Sequence, residues 1–302
     1  MKLERVVIGT DFSESSVAAA RWTARRFAPG AEIVLVHVVT VPEPPTFLRG
    51  RFPPPGTLID TARAGADARL RQLGGTLGAE RVWLETRVGR PGQQLSEVAD
   101  VYGADVIVAG RHGERPGLWS RLGSTAEMLV RTARVPVLLA TGLRDAKLRH
   151  VLAALDDSPA APAVAAWAHF IAAREQARVT ALHVVSAAVL ESVLALAAGS
   201  GGYDDGDAER REGIRQDADR WVQGIAGAGV PADRVRSEVT FGEAGQEILA
   251  AAERHDSDLI VTGSHGGGAV RRLVVGSVAA EILRGATCPV LVVKAAADEI
   301  AP

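Results

Sequence analysis

Two short segments of the chain repeat one spacing of glycines and serine, G-x2-G-x9-G-S. The first reads GRHGERPGLWSRLGS, and the second reads GSHGGGAVRRLVVGS. Glycine lets a ligand approach the main chain closely, and the free N–H groups of a helix start attract anions. The spacing therefore predicts a phosphate-binding arm in each half of the chain, formed mainly by backbone groups. The predicted contacts are Gly110, His112, Gly113, Gly123, Ser124, Gly263, His265, Gly266, Gly276 and Ser277.

A simpler interpretation of the arms is also open. The glycines can serve only to turn the chain, and Ser124 and Ser277 can serve only as helix caps. Identical spacing in two segments whose other residues differ favours the phosphate-binding interpretation.

An aspartate follows the first apolar strand in each half: Asp11 in VVIGTDFSES and Asp156 in VLAALDDSPA. Aspartate after a strand often caps the next helix. Here Ser13 and Ser158 stand two residues further on as better caps, and Pro159 occupies the expected first helical position. If serine caps the helix, the carboxylate is predicted to be free, facing a ligand as a partner for a sugar, an amine or a cation.

The elements that must position these residues also occur twice. EIVLVHVV, with His37, matches RVTALHVV, with His183, at an offset of 146 residues, and ADVIVAG matches SDLIVTG at 153. Short strands rich in valine, isoleucine and leucine alternate with helical stretches. This pattern predicts α/β architecture with two tandem doubly wound parallel-sheet domains, Rossmann-like, over 1–143 and 148–302. Both histidines, like Trp22 and Trp167, are expected to be buried structural residues.

Composition excludes several classes of function. The formal net charge of −2 gives no basic surface for nucleic acid, and no apolar run reaches the ~18 residues of a membrane span. The N-terminal segment lacks the apolar core of a signal peptide. The single cysteine, Cys288, excludes an internal disulfide and is expected to be a buried thiol in a cytoplasmic protein. No histidine has the spacing of a zinc site.

Taken together, the glycine skeleton, the openings TDFSES and LDDSP and the LHVV strand resemble the ATP-binding subgroup of the universal stress protein family. The resemblance covers essentially the whole chain, as a tandem pair. It implies an adenine nucleotide α-hydrolase-like fold, with the two halves related by an approximate two-fold axis as an internal pseudo-dimer. It also implies that the arms hold phosphates and ribose, while strand-end residues line the adenine and ribose pocket. The further binding residues so implied are Thr10, Asp11, Val38, Thr125, Asp156, Val184 and Val278.

The expected function is that of a nucleotide-dependent stress-response regulator that binds ATP or ADP with Mg²⁺. No G-x4-G-K-[ST] loop is present and no lysine stands beside the glycines in sequence, so hydrolysis is expected to be slow at most. Leu155 and Asp157 replace Thr10 and Phe12, which predicts unequal sites. The alternatives are a slow ATPase and a nucleotide-independent scaffold. A homodimer and an unidentified regulatory protein are the other expected partners.

Overall fold

The chain is built from two compact units, Met1–Asp145 and Ala146–Pro302. The computed structural model describes residues 1–40, 55–111, 122–198, 206–226, 231–264 and 275–294. Within these ranges, no helix is long and apolar enough to cross a membrane.

The first unit alternates strands and helices along the described chain. Its strands are β1 (Arg5–Gly9), β2 (Glu32–Val39), β3 (Val82–Val88), β4 (Val106–Gly110) and β5 (Val137–Ala140). Its helices are α1 (Glu14–Trp22), which runs on into a π-helical turn (Thr23–Phe27), α2 (Pro55–Gly74), α3 (Pro91–Tyr102) and α4 (Ser124–Thr132). All neighbouring strands are parallel, in the order β3-β2-β1-β4-β5.

The second unit repeats this arrangement. Its strands are β6 (His150–Leu155), β7 (Arg178–Ser186), β8 (Val235–Gly242), β9 (Leu259–Gly263) and β10 (Val290–Val293). Its helices are α5 (Ala161–Glu175), α6 (Ala187–Ala198), α7 (Gly206–Ala226), α8 (Ala244–Arg254) and α9 (Ser277–Gly285). The parallel order β8-β7-β6-β9-β10 matches that of the first unit. The predicted doubly wound α/β fold is therefore confirmed, while the two-fold relation between the halves stays a prediction.

The central strands are apolar because helices cover both faces of a parallel sheet. Val6, Val7 and Ile8 of β1 are all fully buried. Burial is less complete at the edge of the sheet, where Trp83 and Leu84 of β3 are 51% and 40% exposed. The residues expected in the core are buried: Cys288, Trp22 and Trp167.

Glycines allow the last helix of each unit to lie close to its neighbour. A Cβ on Gly92 of α3 would lie 2.6 Å from Cβ and Cγ of Met128 on α4. A Cβ on Gly245 of α8 would lie 2.8 Å from Cγ of Glu281 on α9. At Gly92 the neighbouring atoms include Cβ of Met128, so a side chain there would force α3 and α4 apart, whereas at Gly245 the flexible Glu281 side chain could move.

Candidate functional site

The candidate site lies at the carboxyl ends of two adjacent strands in each unit. Parallel pairing places β1 beside β4 in the first unit and β6 beside β9 in the second. The chain leaves these neighbouring strands in opposite directions along the sheet, which is the switch point where doubly wound folds bind ligands. Asp11 follows β1 and Gly110 ends β4, whereas Asp156 follows β6 and Gly263 ends β9. The structure thus brings the predicted aspartate and the first glycine of the arm to neighbouring strand ends.

The last helix of each unit begins at a glycine N-cap, which has no side chain with which to cap the helix. Gly123 is the N-cap of α4 in extended backbone, and Ser124 is its first helical residue. Gly276 and Ser277 have the same positions at α9. The interpretation of the two serines as caps is therefore wrong. The first N–H groups of any helix have no acceptor within the helix, and they lie at the positive end of the dipole.

Backbone hydrogen bonds hold each helix start at the strand edge. Gly123 N donates to the carbonyl oxygen of Arg111 at 3.1 Å, directly after β4. Gly276 N donates in the same way to Ser264 O at 3.1 Å. The two ends of each arm are thereby joined, and the helix start lies at the end of β4 in the first unit and of β9 in the second.

The aspartate of the first unit is not free, and that prediction is wrong. Asp11 Oδ1 accepts hydrogen bonds from Ser13 N at 3.0 Å and from Ser13 Oγ at 2.5 Å. Ser13 still caps α1, because its Oγ accepts from Ser16 N at 3.3 Å. A hydroxyl donates and accepts at once, so capping the helix does not release the carboxylate. Asp11 Oδ1 closes a local turn of the type that aspartate favours after a strand.

The second unit corrects the prediction further. Asp156 Oδ1 accepts from Ser158 N at 3.2 Å and Ser158 Oγ at 2.5 Å. Ser158 is not the helix cap, however, and Pro159 is not helical, because the N-cap of α5 is Ala160. The Ser158 hydroxyl accepts from Ala160 N at 3.3 Å, which forms an extra turn before the helix.

Thr10 has a structural role at the end of β1. Its Oγ1 lies 2.9 Å from Ser16 Oγ and accepts from Phe12 N at 3.0 Å, and the residue is only 6% exposed. These bonds support Phe12 in the left-handed backbone region, at φ 63°. Leu155 replaces Thr10 in the second unit and is buried.

The strand histidines join β2 to β1 and β7 to β6. His37 Nδ1 donates to Thr10 O at 2.8 Å, and His183 Nδ1 donates to Leu155 O at 2.8 Å. Both histidines have the predicted hydrogen-bond partner, but they are half-buried rather than buried as expected. The next residues, Val38 and Val184, lie beside these carbonyls at the carboxyl edge, Val38 buried and Val184 half-buried.

Sequence reasoning missed the groups that pack on these histidine rings. In the first unit, Phe12 stacks on His37 with ring centroids 4.5 Å apart, and the Arg69 guanidinium lies 4.1 Å above Phe12. In the second unit, Trp221 of α7 meets His183 edge-on at 5.1 Å. The sequence offered one signal for this contact, which is that Trp221 falls in a helical stretch. Because different aromatic residues pack on the two histidines, the two sites differ beside the strand-end aspartate.

The remaining predicted residues divide into two groups. Thr125 and Val278 are half-buried second residues of α4 and α9, one position inside each helix start. Four lie outside the described residues: His112, Gly113, His265 and Gly266. Among the residues that are described, no three histidine, cysteine or acidic side chains are grouped as a metal site.

Two doubly wound units with the same strand order and the same helix start at the switch point define a tandem α/β protein with parallel sheets. The chain belongs to the universal stress protein family, whose model matches residues 2–141 and 147–294. The family predicted from the sequence is thus confirmed.

Similar proteins match along nearly the whole chain. A universal stress protein of Mycolicibacterium smegmatis is 26% identical over 96% of this chain and 96% of its own length. One from Mycobacterium tuberculosis is 27% identical over 97% and 98%. The crystal structure of a universal stress protein from Archaeoglobus fulgidus shares the fold, with a TM-score of 0.66 and 18% identity, covering 99% of this chain and 98% of that one.

Proposed function

We propose that this protein binds an adenine nucleotide, ATP or ADP, at the carboxyl edge of each sheet and acts as a nucleotide-dependent regulator in the stress response. The observation that carries the proposal is the start of α4 at its glycine N-cap, held at the end of β4 by the bond from Gly123 N to Arg111 O. Such a helix start offers both N–H donors and a positive dipole end to a phosphate. The start of α9 offers the same groups in the second unit.

The base and ribose would lie toward β1 and β2, or β6 and β7. There the histidine-to-carbonyl bond keeps Val38 and Asp11 on adjacent strand ends. A ribose hydroxyl would donate to the carboxylate of Asp11, whose Oδ1 also accepts from Ser13. The proposed pockets are unequal, because the first unit has the Phe12 stack where the second has exposed Asp157.

Magnesium would be held mainly by the phosphates and water, as this ion commonly is. Within the described residues no acidic cluster competes with that arrangement. Catalysis of phosphoryl transfer needs a positioned nucleophile as well as charge stabilisation. We therefore infer slow hydrolysis at most, and a change of shape or contacts as the consequence of binding.

Calorimetric titration of nucleotide-stripped protein with ATP, ADP and GTP, each with Mg²⁺, tests the proposal. We expect up to two adenine nucleotides per chain, with unequal affinities and a preference over GTP. Phosphate release measured on the same samples should be slow. Absence of binding would leave the protein a scaffold that acts through partners, and turnover of several per second would make it an enzyme.

A further inference from the structure

The outer strand of the first unit, β3, has a neighbour on one edge only among the described residues. That neighbour is β2, which runs parallel to it. The bonds to β2 come from odd-numbered residues of β3, because Arg81 O accepts from Ile33 N at 3.0 Å and Gly89 N also donates to β2. Successive residues of a strand direct their backbone groups to opposite edges. The residues whose N–H and C=O groups point to the outer edge are therefore Val82, Leu84, Thr86 and Val88.

This outer strand exposes large apolar side chains. Trp83 and Leu84 are both exposed, and Val101 at the end of α3 is 74% exposed. The rings of Trp83 and Tyr102 lie 6.4 Å apart between centroids, which joins the exposed part of the strand to the end of α3. Apolar side chains beside a row of outward backbone groups form a template for another strand.

The equivalent strand of the second unit, β8, has charged residues at these places. Counterparts lie 153 residues further along the chain, so Arg236 replaces Trp83 and Arg254 replaces Val101. Both arginines are exposed. A charged side chain on an outer strand is a common protection against pairing with another chain. The second unit thus has a protection that the first unit lacks.

The side chains of β3 fit a second, antiparallel copy of the same strand. If Thr86 faces Thr86 of the second copy, Glu85 and Arg87 of each copy lie opposite each other. Leu84 then faces Val88 of the second copy. Threonine pairs, opposite charges and apolar pairs are all favourable across antiparallel strands. The backbone groups of Thr86 also point to the outer edge, as this pairing requires.

The charges of the strand select this register over its neighbours. Pairing centred on Glu85 would place two carboxylates directly opposite each other. Pairing centred on Leu84 would place Arg81 opposite Arg87. Like charges that face each other across strands are destabilising, so the register centred on Thr86 is favoured.

The two charges of β3 are already held together within one chain. Arg87 Nε lies 3.2 Å from Glu85 Oε2, and the Tyr102 hydroxyl donates to Glu85 Oε1 at 2.5 Å. Both charged residues are half-buried. A second copy would extend this pair to a network of four charges, and a network contributes more than an isolated surface pair.

We propose that two copies of this chain associate through β3, antiparallel about Thr86, so that the sheet of one copy continues into the sheet of the other. The inference is independent of nucleotide binding. Because β8 carries Arg236, each chain offers one self-complementary edge, and association stops at two copies instead of growing into a fibre. The contact rests on a strand of seven residues per copy, which is small for a protein interface, so we expect a Kd on the order of micromolar.

Sedimentation velocity of the full chain tests the association. We expect monomer at about 1 µM and dimer at about 100 µM. Trp83→Arg, which copies Arg236 of the second unit, should leave the chain monomeric at both concentrations. Val189→Arg is the matched control, because Val189 is also an exposed apolar residue, at 60%, but lies on α6 of the second unit. This control should form dimers as the wild type does.

Two charge variants test the pairing of Glu85 with Arg87. Arg87→Glu and Glu85→Arg each place like charges opposite each other between identical chains, so each variant alone should stay monomeric. Mixed in equal amounts, the two variants have complementary charges and should form a dimer with each other. Urea unfolding of each variant checks that it remains folded.

Amide exchange measured by NMR reports the pairing on the backbone itself. The amides of Leu84, Thr86 and Val88 should exchange several times more slowly in the wild type than in Trp83→Arg at the same high concentration, because they gain acceptors in the second copy. The amides of Glu85 and Arg87 point to β2 and should exchange alike in both proteins.

Three results would overturn the inference. They are a wild-type chain that is monomeric at both concentrations, a dimer that persists in Trp83→Arg, and two charge variants that are folded but do not associate when mixed. Since none of these measurements involves ATP, each result would leave the proposed function standing.

Discussion

His255 Nε2 lies 2.7 Å from Glu238 Oε2 and joins the end of α8 to β8. The first unit makes the same connection with a different chemistry, because Tyr102 donates its hydroxyl to Glu85 Oε1 at 2.5 Å. Glu238 and His255 each lie 153 residues beyond their counterparts, Glu85 and Tyr102. The hydrogen bond to Glu85 raises the pKa of Tyr102, so this phenol stays neutral at physiological pH and keeps donating.

The second unit should lose stability in mild acid, because it buries the neutral side chain of His150. His150 is 5% exposed, and its ring nitrogens lie 2.9 Å from Ser257 Oγ and Thr180 Oγ1. Burial lowers its pKa to about 4, helped by the nearby His255 and Arg178 and opposed by Asp258 and Glu238. The unfolded chain takes up the proton at about pH 6.5, so this contribution to stability falls by about 1.4 kcal/mol per pH unit from there down to about pH 4.

Glu238 adds to the loss at lower pH. Burial alone would raise its pKa, but hydrogen bonds from His255 and Arg254 outweigh burial and lower the pKa below 4.5. A carboxylate with a lowered pKa stabilises the fold above its unfolded pKa, and this stabilisation disappears as pH falls through the folded value. Hydrogen exchange at pH 7.5 and pH 5 should show reduced protection of β6 but not of β1, where Arg5 replaces His150. His150→Gln should flatten the difference, and equal loss in β1 would contradict the prediction.

Replacing Gly123 with valine should abolish nucleotide binding in the first half while the fold persists. Gly123 has φ −62° and ψ 144°, which valine also adopts, so the backbone is not strained. The added side chain would stand where a phosphate meets the helix start. Calorimetric stoichiometry should fall from two nucleotides to one, and to zero when Gly276→Val is added. Unchanged ATP affinity would reduce the glycine to a turn residue.

Asp11→Asn should separate the structural role of this residue from its proposed ligand role. The asparagine oxygen can still accept from Ser13 N and Oγ, so the unfolding midpoint should hardly change. Asp11→Ala removes the turn and should cost about 1 kcal/mol of stability in urea unfolding. If the carboxylate binds ribose, both variants should weaken ATP binding. Full ATP affinity in the asparagine variant would show that a neutral acceptor is sufficient.

Gly92→Ala should destabilise the first unit because the new Cβ would meet Met128 at 2.6 Å. Overpacking of this kind costs about 1–3 kcal/mol, measurable in urea. Gly65→Ala on α2 is the matched control, since a Cβ there has nothing within 4 Å. Alanine at a free helical site should stabilise the protein by about 0.5–1 kcal/mol. Equal effects of the two substitutions would mean that α4 moves away at little cost.

The order of strands and helices was predictable because buried parallel strands are almost continuously apolar and alternate with helices. The starts of α4 and α9 were predictable because glycine and serine precede a run of helix-forming residues. The Ser13 hydroxyl misled the prediction for Asp11, since sequence does not show that one hydroxyl serves both the helix and the carboxylate.

Residues that meet across neighbouring strands could not be found from sequence spacing. Lys294 lies 30 positions beyond Ser264, and only the pairing of β9 with β10 makes them neighbours. Likewise, the stack of Arg69 on Phe12 depends on how α2 lies across the sheet and on a left-handed residue. Long-range register and local backbone conformation are the parts that a single sequence leaves open.

The strand order has a consequence for synthesis of the chain. β1 lies between β2 and β4, yet β4 begins only at Val106, about 100 residues after β1. At roughly 5–20 residues per second on the ribosome, one edge of β1 waits about 5–20 s for its partner. During that interval the fully apolar stretch Val6, Val7 and Ile8 is an open strand edge, which is the kind of segment that chaperones bind and that aggregates when they are scarce.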